Sequence, residues 1–421
     1  MKKQILLALL PLVLAGCGSS IGKNGDITSS EEATTTTSVT SLTTAATTAP
    51  VTETTTKKTT KKKKEQKLEY TYADTVEVYQ KIRLGDWLQD STVKPDNADD
   101  YLPTDTLGSQ KIKVKFGSEE REIKYTVADT TPPMFIYCPS VISVHTGSGF
   151  DPSINTGFGD NYDKAPTISY EGNIDTKTPG DYDIILTLKD ASGNTTTKTA
   201  TVSVVDTLPQ VQSNAGRMSF DDFKATYSSD ESDVGIDVSY WQGDIDFNRV
   251  KAAGCGFVFI RAAHHSDSIY PDENFQKNLD GASAAGLDVG VYIYTTCSSP
   301  EEAKEHAQWV IDKLGGRELQ LPIAFDWEDF TRFQRFGMSI HDLNLCYDAF
   351  REVVEENGYK AVLYSSKNFL EQFWEDDNSR EVWLANYTEQ TDYEGRYTYW
   401  QQGLCTIDGI SGDVDADVRY K

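Results

Sequence analysis

Five stretches decide the fold: VGIDVSYW (234–241), GFVFIRAA (256–263), DVGVYIYTT (288–296), LPIAFDWE (321–328) and KAVLYSS (360–366). Each is a short apolar run of strand length, rich in β-branched and aromatic residues. Helical stretches separate them. Asn274 to Ala285 is amphipathic and followed by Gly286, a C-cap residue. Ser299-Pro300-Glu301-Glu302 supplies an N-cap, a proline at the first helical position and acids in the first turn, and the helix runs to Gly315. Ser339 to Asn357 ends at Gly358 in the same way. Three further strands follow: EVWLANY, YTYWQQ and a run near Val414–Tyr420. Repeated strand–helix units imply a parallel sheet, and eight strands allow closure as a TIM-like α/β barrel.

Working outward, residues 207–232 read as a linker with one short helix around Phe220–Tyr227, so the barrel is expected over 233–421. Before it, residues 68–206 hold an internal repeat, 68–129 and 130–206, each copy closing on Asp-Thr-x-Pro. The alternation at Lys111–Phe116 and at Tyr182–Leu188 has the period of half-buried strands. Asp190-Ala191-Ser192-Gly193-Asn194 is turn chemistry between two strands. Two small all-β antiparallel sandwiches are expected. The second copy resembles bacterial Ig-like surface modules, which implies a spacer or binding role.

Residues 17–67 are expected to be a disordered Thr/Lys-rich spacer, because the stretch cannot bury enough apolar surface to offset the entropy of ordering. As a coil it would reach roughly 35–40 Å. Residues 1–16 read as a signal peptide: two lysines, then an apolar run too short to span a bilayer. Leu14-Ala15-Gly16-Cys17 resembles the bacterial lipoprotein processing box, which implies lipidation of Cys17 and anchoring at the outer face of the membrane.

The formal charge of −25 argues against nucleic acid, since phosphate binding needs clustered Lys and Arg. Cys138, Cys255, Cys297, Cys346 and Cys405 show no metal-ligand spacing and read as small buried hydrophobes, with a Cys255–Cys297 bridge conceivable. The five histidines form no metal constellation by spacing, so no metal and no cofactor is expected. His264 and His265 are read as loop residues rather than substrate contacts. A monomer is expected.

Active sites of such barrels gather at the C-terminal strand ends. That rule selects Asp237 in the first strand, Asp326 and Glu328 in the fourth, and Asp415 in the last. Residues two apart on a strand share a face, about 6.5–7 Å apart. Two carboxylates so placed can serve as an acid and an ionised partner on one glycosidic bond, and repulsion with desolvation should keep one of them protonated. Aromatic residues cluster at the same strand ends: Tyr240, Trp241, Tyr292, Tyr294, Trp327, Tyr364, Trp383, Tyr387 and Trp400, with Gln401 beside the last. Together they suit the C–H faces and hydroxyl edges of sugar rings.

GIDVSYWQGDIDFNRVKAAGCGFVFIR, LDGASAAGLDVGVYIYTT, LPIAFDWED and VWLANYTE…YTYWQQ…IDGISGDVDAD together resemble the family 25 glycoside hydrolases, the N-acetylmuramidase or lysozyme group. The resemblance implies a (β/α)5β3 barrel that cuts the β-1,4 bond between N-acetylmuramic acid and N-acetylglucosamine in peptidoglycan. It places the general acid on Glu328. It makes Asp326 the partner that stabilises the oxocarbenium ion or orients the N-acetyl group, and puts Asp237 and Asp415 among the pocket acids. Arg261-Ala262-Ala263-His264-His265 departs from the Thr-Glu-Gly common after the second strand, which bears on subsite preference. A chitinase-like glycosidase is the alternative, weakened by Ile323 and Ala324 where that class carries further aspartates. A non-catalytic wall-binding protein is the other.

Overall fold

The computed structural model describes residues 68–209, 217–375 and 377–421. The signal peptide, Cys17 and the Thr/Lys-rich spacer lie outside the described residues. No helix among the described residues is long and apolar enough to cross a membrane.

The chain divides into two compact units at Thr130. The first holds β1 (Thr75–Glu77), α1 (Leu84–Trp87), β2 (Gly108–Phe116) and β3 (Glu119–Ala128). The alternation in β2 and β3 places Val114, Phe116, Ile123, Tyr125 and Val127 on one buried face, closed by Trp87, whose ring meets Tyr125 edge-on. β2 and β3 form an antiparallel hairpin, but β1 runs parallel to β3. The unit is a three-stranded mixed sheet and not the expected antiparallel sandwich.

The second unit begins with the other β module: β4 (Met134–Tyr137), β5 (Val141–His145), α2 (Pro152–Asn155), β6 (Gly157–Gly159), β7 (Thr167–Glu171), β8 (Gly180–Lys189) and β9 (Thr195–Val205). Its four-stranded sheet has the order β5-β9-β8-β7, with β4 and β6 paired separately. Here too the first strand of the sheet, β5, runs parallel to the last, β9, which hairpins with β8. The same connection thus recurs in both modules, and a parallel pair replaces the all-antiparallel arrangement in each.

The stretch 217–232 is not a linker. β10 (Arg217–Ser219) pairs with a barrel strand, and α3 (Phe220–Tyr227) buries Phe220 and Phe223 in the barrel's outer core. Two aromatic anchors in one short helix explain why it docks.

The barrel follows: β11 (Ser232–Val238), α4 (Phe247–Ala252), β12 (Phe257–His265), β13 (Ile269–Pro271), α5 (Phe275–Ala284), β14 (Asp288–Tyr294), α6 (Pro300–Leu314), β15 (Ile323–Asp326), α7 (Ile340–Glu356), β16 (Ala361–Ser366), α8 (Lys367–Gln372), β17 (Val382–Ala385), β18 (Tyr399–Thr406) and β19 (Val414–Tyr420). From β11 through β12, β14, β15, β16, β17 to β18 each neighbour is parallel. β19 closes the ring, antiparallel to both β18 and β11. The antiparallel closing strand needs no crossover helix, and none lies between β18 and β19. Helix ends follow local chemistry: the Ser299 hydroxyl accepts from Glu302 N–H at the start of α6, and Gly315 ends it at φ 59°.

Period two sorts the strands into two faces. Outward residues such as Ile236, Val258, Ile260, Val291 and Phe325 pack against the helices. Inward residues Phe257, Phe259, Ala324, Val362, Trp383 and Tyr399 fill the barrel floor. Gly290 makes room for this layer, since a Cβ there would lie 2.6 Å from the Phe259 ring. Above the floor the inward positions turn acidic.

Candidate active site

Asp237 ends β11, Asp326 ends β15, Glu328 follows two residues on, and Asp415 lies directly opposite Asp237 across the β11–β19 pair. Opposed residues of that kind stand about 4.5–5.5 Å apart. Asp326 in turn registers with Tyr294 and Tyr364 on its neighbouring strands. Four acids chosen from strand spacing therefore come close enough at one end of the barrel to feel one another's charge.

A fifth acid was missed. Asp417 is fully buried, accepts the indole N–H of Trp383 at 2.8 Å, and shares a hydrogen bond with Asp237. The signal was available: Asp417 stands two residues from Asp415 on β19, the same spacing that pairs Asp326 with Glu328.

One side chain ties the cluster together. Gln401 Nε2 donates to Asp237 Oδ2 at 2.8 Å, while its Oε1 accepts from Tyr364 Oη at 2.8 Å and Tyr387 Oη at 2.7 Å. Two phenols fix the amide so that its N–H must face the carboxylate. Arg261 is the nearby cation. Its Nε bonds Asp272 Oδ2 at 3.0 Å, and its guanidinium lies 5.1 Å from the Tyr240 ring centroid. Asp272 also accepts the Tyr240 backbone N–H, which sets the first loop over the opening.

The electrostatics follow from crowding acids where water is scarce. Burial lifts Asp237 to about 6, with the nearby Glu328 charge adding to the rise and the Gln401 hydrogen bond opposing it. Burial likewise raises Asp326, Asp415 and Asp417 well above the usual carboxylate range, and neighbouring carboxylates push in the same direction. Glu328 is also raised by burial, partly offset by a hydrogen bond from Asp326. The Asp326–Glu328 pair is thus held against ionising at both carboxyls together. Asp326 Oδ1 is buried with no hydrogen-bond partner among the described residues.

The aromatic candidates separate. Tyr292, Tyr294, Tyr364 and Tyr387 surround the acids, as the influence of those carboxylates on each phenol shows. The Tyr240 and Trp241 rings meet at a tilt of 33°, 4.3 Å apart, on the first loop, and Trp241 is 68% exposed. Trp383 lies in the floor, stacked on Phe259 at 4.2 Å, and supports Asp417 from below. Trp327 and Trp400 are misassigned. Each sits one residue from an inward-facing side chain, so the pleat turns it outward. Trp327 is fully buried among Phe330, Phe333 and Phe336, and Trp400 packs edge-on against Tyr227.

The loop after the acids, Phe330–Phe336, is gripped by the second β module. Gln334 Nε2 donates to the carbonyls of Ser153 at 2.7 Å and Thr156 at 2.9 Å, and its Oε1 accepts from Phe158 N–H at 3.2 Å. Gly157 permits the approach: a Cβ there would lie 2.2 Å from the Phe330 carbonyl oxygen. Nothing in the sequence marked this contact.

All five cysteines among the described residues are free, so the conceivable Cys255–Cys297 bridge is absent. Two histidines expected to form no constellation do converge. His265 ends β12 and His306 lies on α6, with Glu302 between them in space. His264 instead stacks on Tyr270.

Residues 236–403 match the family described as glycosyl hydrolases family 25, and residues 138–204 match the bacterial surface protein Ig-like domain. The chain is 28% identical over 191 residues to the autolytic lysozyme of Clostridium acetobutylicum, covering 44% of this chain and 54% of that protein. It is 27% identical over 195 residues to Lysozyme M1 of Streptomyces globisporus, covering 43% and 65%. It is 31% identical over 199 residues to the uncharacterized protein YegX of Escherichia coli O157:H7, covering 44% and 68%. The chain thus spans just over half of the first relative and just under two thirds of the second.

Proposed function

The chain belongs to glycosyl hydrolase family 25 through its C-terminal barrel, and from that premise we propose that it is a peptidoglycan muramidase. The bond cut is the β-1,4 linkage from N-acetylmuramic acid to N-acetylglucosamine. The carrying observation is the pair Asp326 and Glu328, held side by side on one inward face within a ring of buried acids.

In this reading Glu328 is the general acid. It retains partial contact with solvent, where a leaving oxygen would arrive, and burial raises its carboxyl above the usual range, so that the proton Asp326 shares with it in the resting site would pass to Glu328 before the leaving oxygen takes it. Asp326 is the partner. Its unpaired Oδ1 faces the place where positive charge grows on the sugar ring, or where an N-acetyl group would be oriented. Asp237, whose ionisation falls at about 6, adds negative potential that favours an oxocarbenium-like transition state over a neutral ground state, with Asp415 opposite it on the neighbouring strand. Gln401, Tyr364 and Tyr387 are positioning residues, since they fix Asp237. Tyr240, Trp241 and Tyr294 offer faces to the glycan. All these groups come from one chain, so a monomer suffices.

We place the enzyme at the bacterial surface. The Ig-like module is of a kind described from bacterial surface proteins. The Leu14-Ala15-Gly16-Cys17 sequence supports a lipid on Cys17, with the Thr-rich stretch as the tether and the β modules as spacers. A (β/α)5β3 layout fits the strand and helix order.

The test is mass spectrometry of purified peptidoglycan digested by the full chain, with Glu328→Gln alongside. Fragments ending in reducing muramic acid, absent with the variant, are expected. Reducing-end glucosamine would overturn the bond assignment, and no release by either protein would overturn catalysis.

A further inference from the structure

We propose that His265, Glu302 and His306 form a divalent transition-metal site, best suited to zinc, beside the acids and separate from them. One ligand atom from each of the three lies within 4.8 Å of the other two. His265 comes from the end of β12, whereas Glu302 and His306 stand one turn apart on α6 and so share a face. Two imidazoles and one carboxylate with an open fourth position are a recurrent zinc set.

The surrounding hydrogen bonds fix which atoms are free. His265 Nδ1 pairs with the Thr296 hydroxyl at 2.9 Å, and His306 Nδ1 with the Thr295 hydroxyl at 2.8 Å. The Thr296 hydroxyl donates to the His265 carbonyl at 3.4 Å, so it accepts from His265 Nδ1–H. That tautomer leaves the Nε2 lone pair of His265 facing Glu302 Oε1, 3.4 Å away. A lone pair facing a carboxylate oxygen needs a cation between them, either a proton or a metal. Zinc bonds of about 2.0–2.1 Å give a tetrahedral edge of about 3.4 Å. Threonine hydroxyls on the far nitrogens are the outer-sphere arrangement that orients ligating histidines. Glu302 is fixed as well: its Oε2 accepts from Ser298 N–H at 2.8 Å, leaving Oε1 for the ion.

The site is largely shielded from water: His306 is 2% exposed and the His265 side chain 8% exposed. The rings of His265 and His306 lie 4.4 Å apart, which two imidazoliums would not tolerate. Glu302 is half-buried, so the fourth position opens to solvent. Bound metal would clamp the end of β12 to α6, next to Cys297, whose carbonyl receives the Trp327 indole.

The test strips the full chain with EDTA, removes the chelator, titrates with zinc sulfate, and measures retained metal by elemental analysis after desalting. One equivalent is expected for the wild type and for His341→Gln, whose imidazole pairs with Glu375 elsewhere. His265→Gln and His306→Gln should retain none. Glu302→Gln, which alters only a half-exposed side chain, should fold normally and bind about tenfold or more weakly. No retained zinc in the wild type, or equal retention by wild type and the correctly folded Glu302→Gln and His265→Gln proteins, overturns the site.

Discussion

Replacing Asp237 by Asn should make the protein more stable, and increasingly so as pH rises. Asp237 is 6% exposed, and burial lifts it from 3.8 to about 6. A carboxyl group whose folded pKa is raised holds its proton more tightly in the native state. Its contribution is therefore fully present below about pH 4 and is lost as pH climbs through about 6. A displacement of about two units corresponds to about 3 kcal/mol at pH 7, at 1.36 kcal/mol per unit. At pH 4 the same group costs well under about 1 kcal/mol. Asparagine cannot ionise, yet its carbonyl still accepts from Gln401 Nε2. The variant's advantage should thus grow by about 2 kcal/mol between pH 4 and pH 7, less whatever the broken bond to Asp417 contributed. For a unit of this size that is several degrees of melting temperature. Urea unfolding at both pH values, with muramidase activity in parallel, measures it. A stability difference equal at pH 4 and pH 7, or a variant less stable at pH 7, would show that Asp237 is not held against ionisation and would refute the argument.

Glu328→Gln should lower kcat by about 10²–10⁴-fold with melting temperature unchanged or raised, read from turbidity loss of purified cell walls and from calorimetry. Trp327→Ala should lose about 3–5 kcal/mol of stability because its ring is wholly enclosed, whereas Trp241→Ala should leave unfolding untouched and raise KM. Gly157→Val should drive the second β module off the Phe330–Phe336 loop, lowering melting temperature and kcat together, because a Cβ at 2.2 Å from a backbone oxygen cannot be accommodated by a side-chain rotation. Unaltered kcat in that variant would mean the loop keeps its place without the module.

Much of the barrel was readable because its code is local. Strand runs, caps at Ser299 and Gly315, and acids at strand ends each declare themselves within a few residues. The inward set Asp237, Asp326, Glu328 and Asp415 came from the pleat's alternation. The same alternation, applied strictly, turns Trp327 and Trp400 outward and adds Asp417 to the inward set. What was hidden depends on partners distant in sequence. Phe220 and Phe223 look like linker residues until the barrel core receives them. His265 and His306 have no motif spacing, because their meeting is made by β12 and α6 folding together. The parallel β1–β3 and β5–β9 pairs leave no mark on a two-residue period, which is blind to strand direction.

The grip of the β module on Gln334 redraws the enzyme's border. The region that matches the hydrolase family runs from 236 to 403, yet the polypeptide that keeps the Phe330–Phe336 loop in place begins before Gly157. Anyone who cuts at the seam after residue 206, to graft the barrel onto another tether, removes three hydrogen-bond partners from Gln334 and uncovers the loop two residues beyond the acid. Domain shuffling would face the same obstacle, so this pair of folds should be inherited as one piece. The module is then less an interchangeable spacer than a splint moulded to this particular hydrolase.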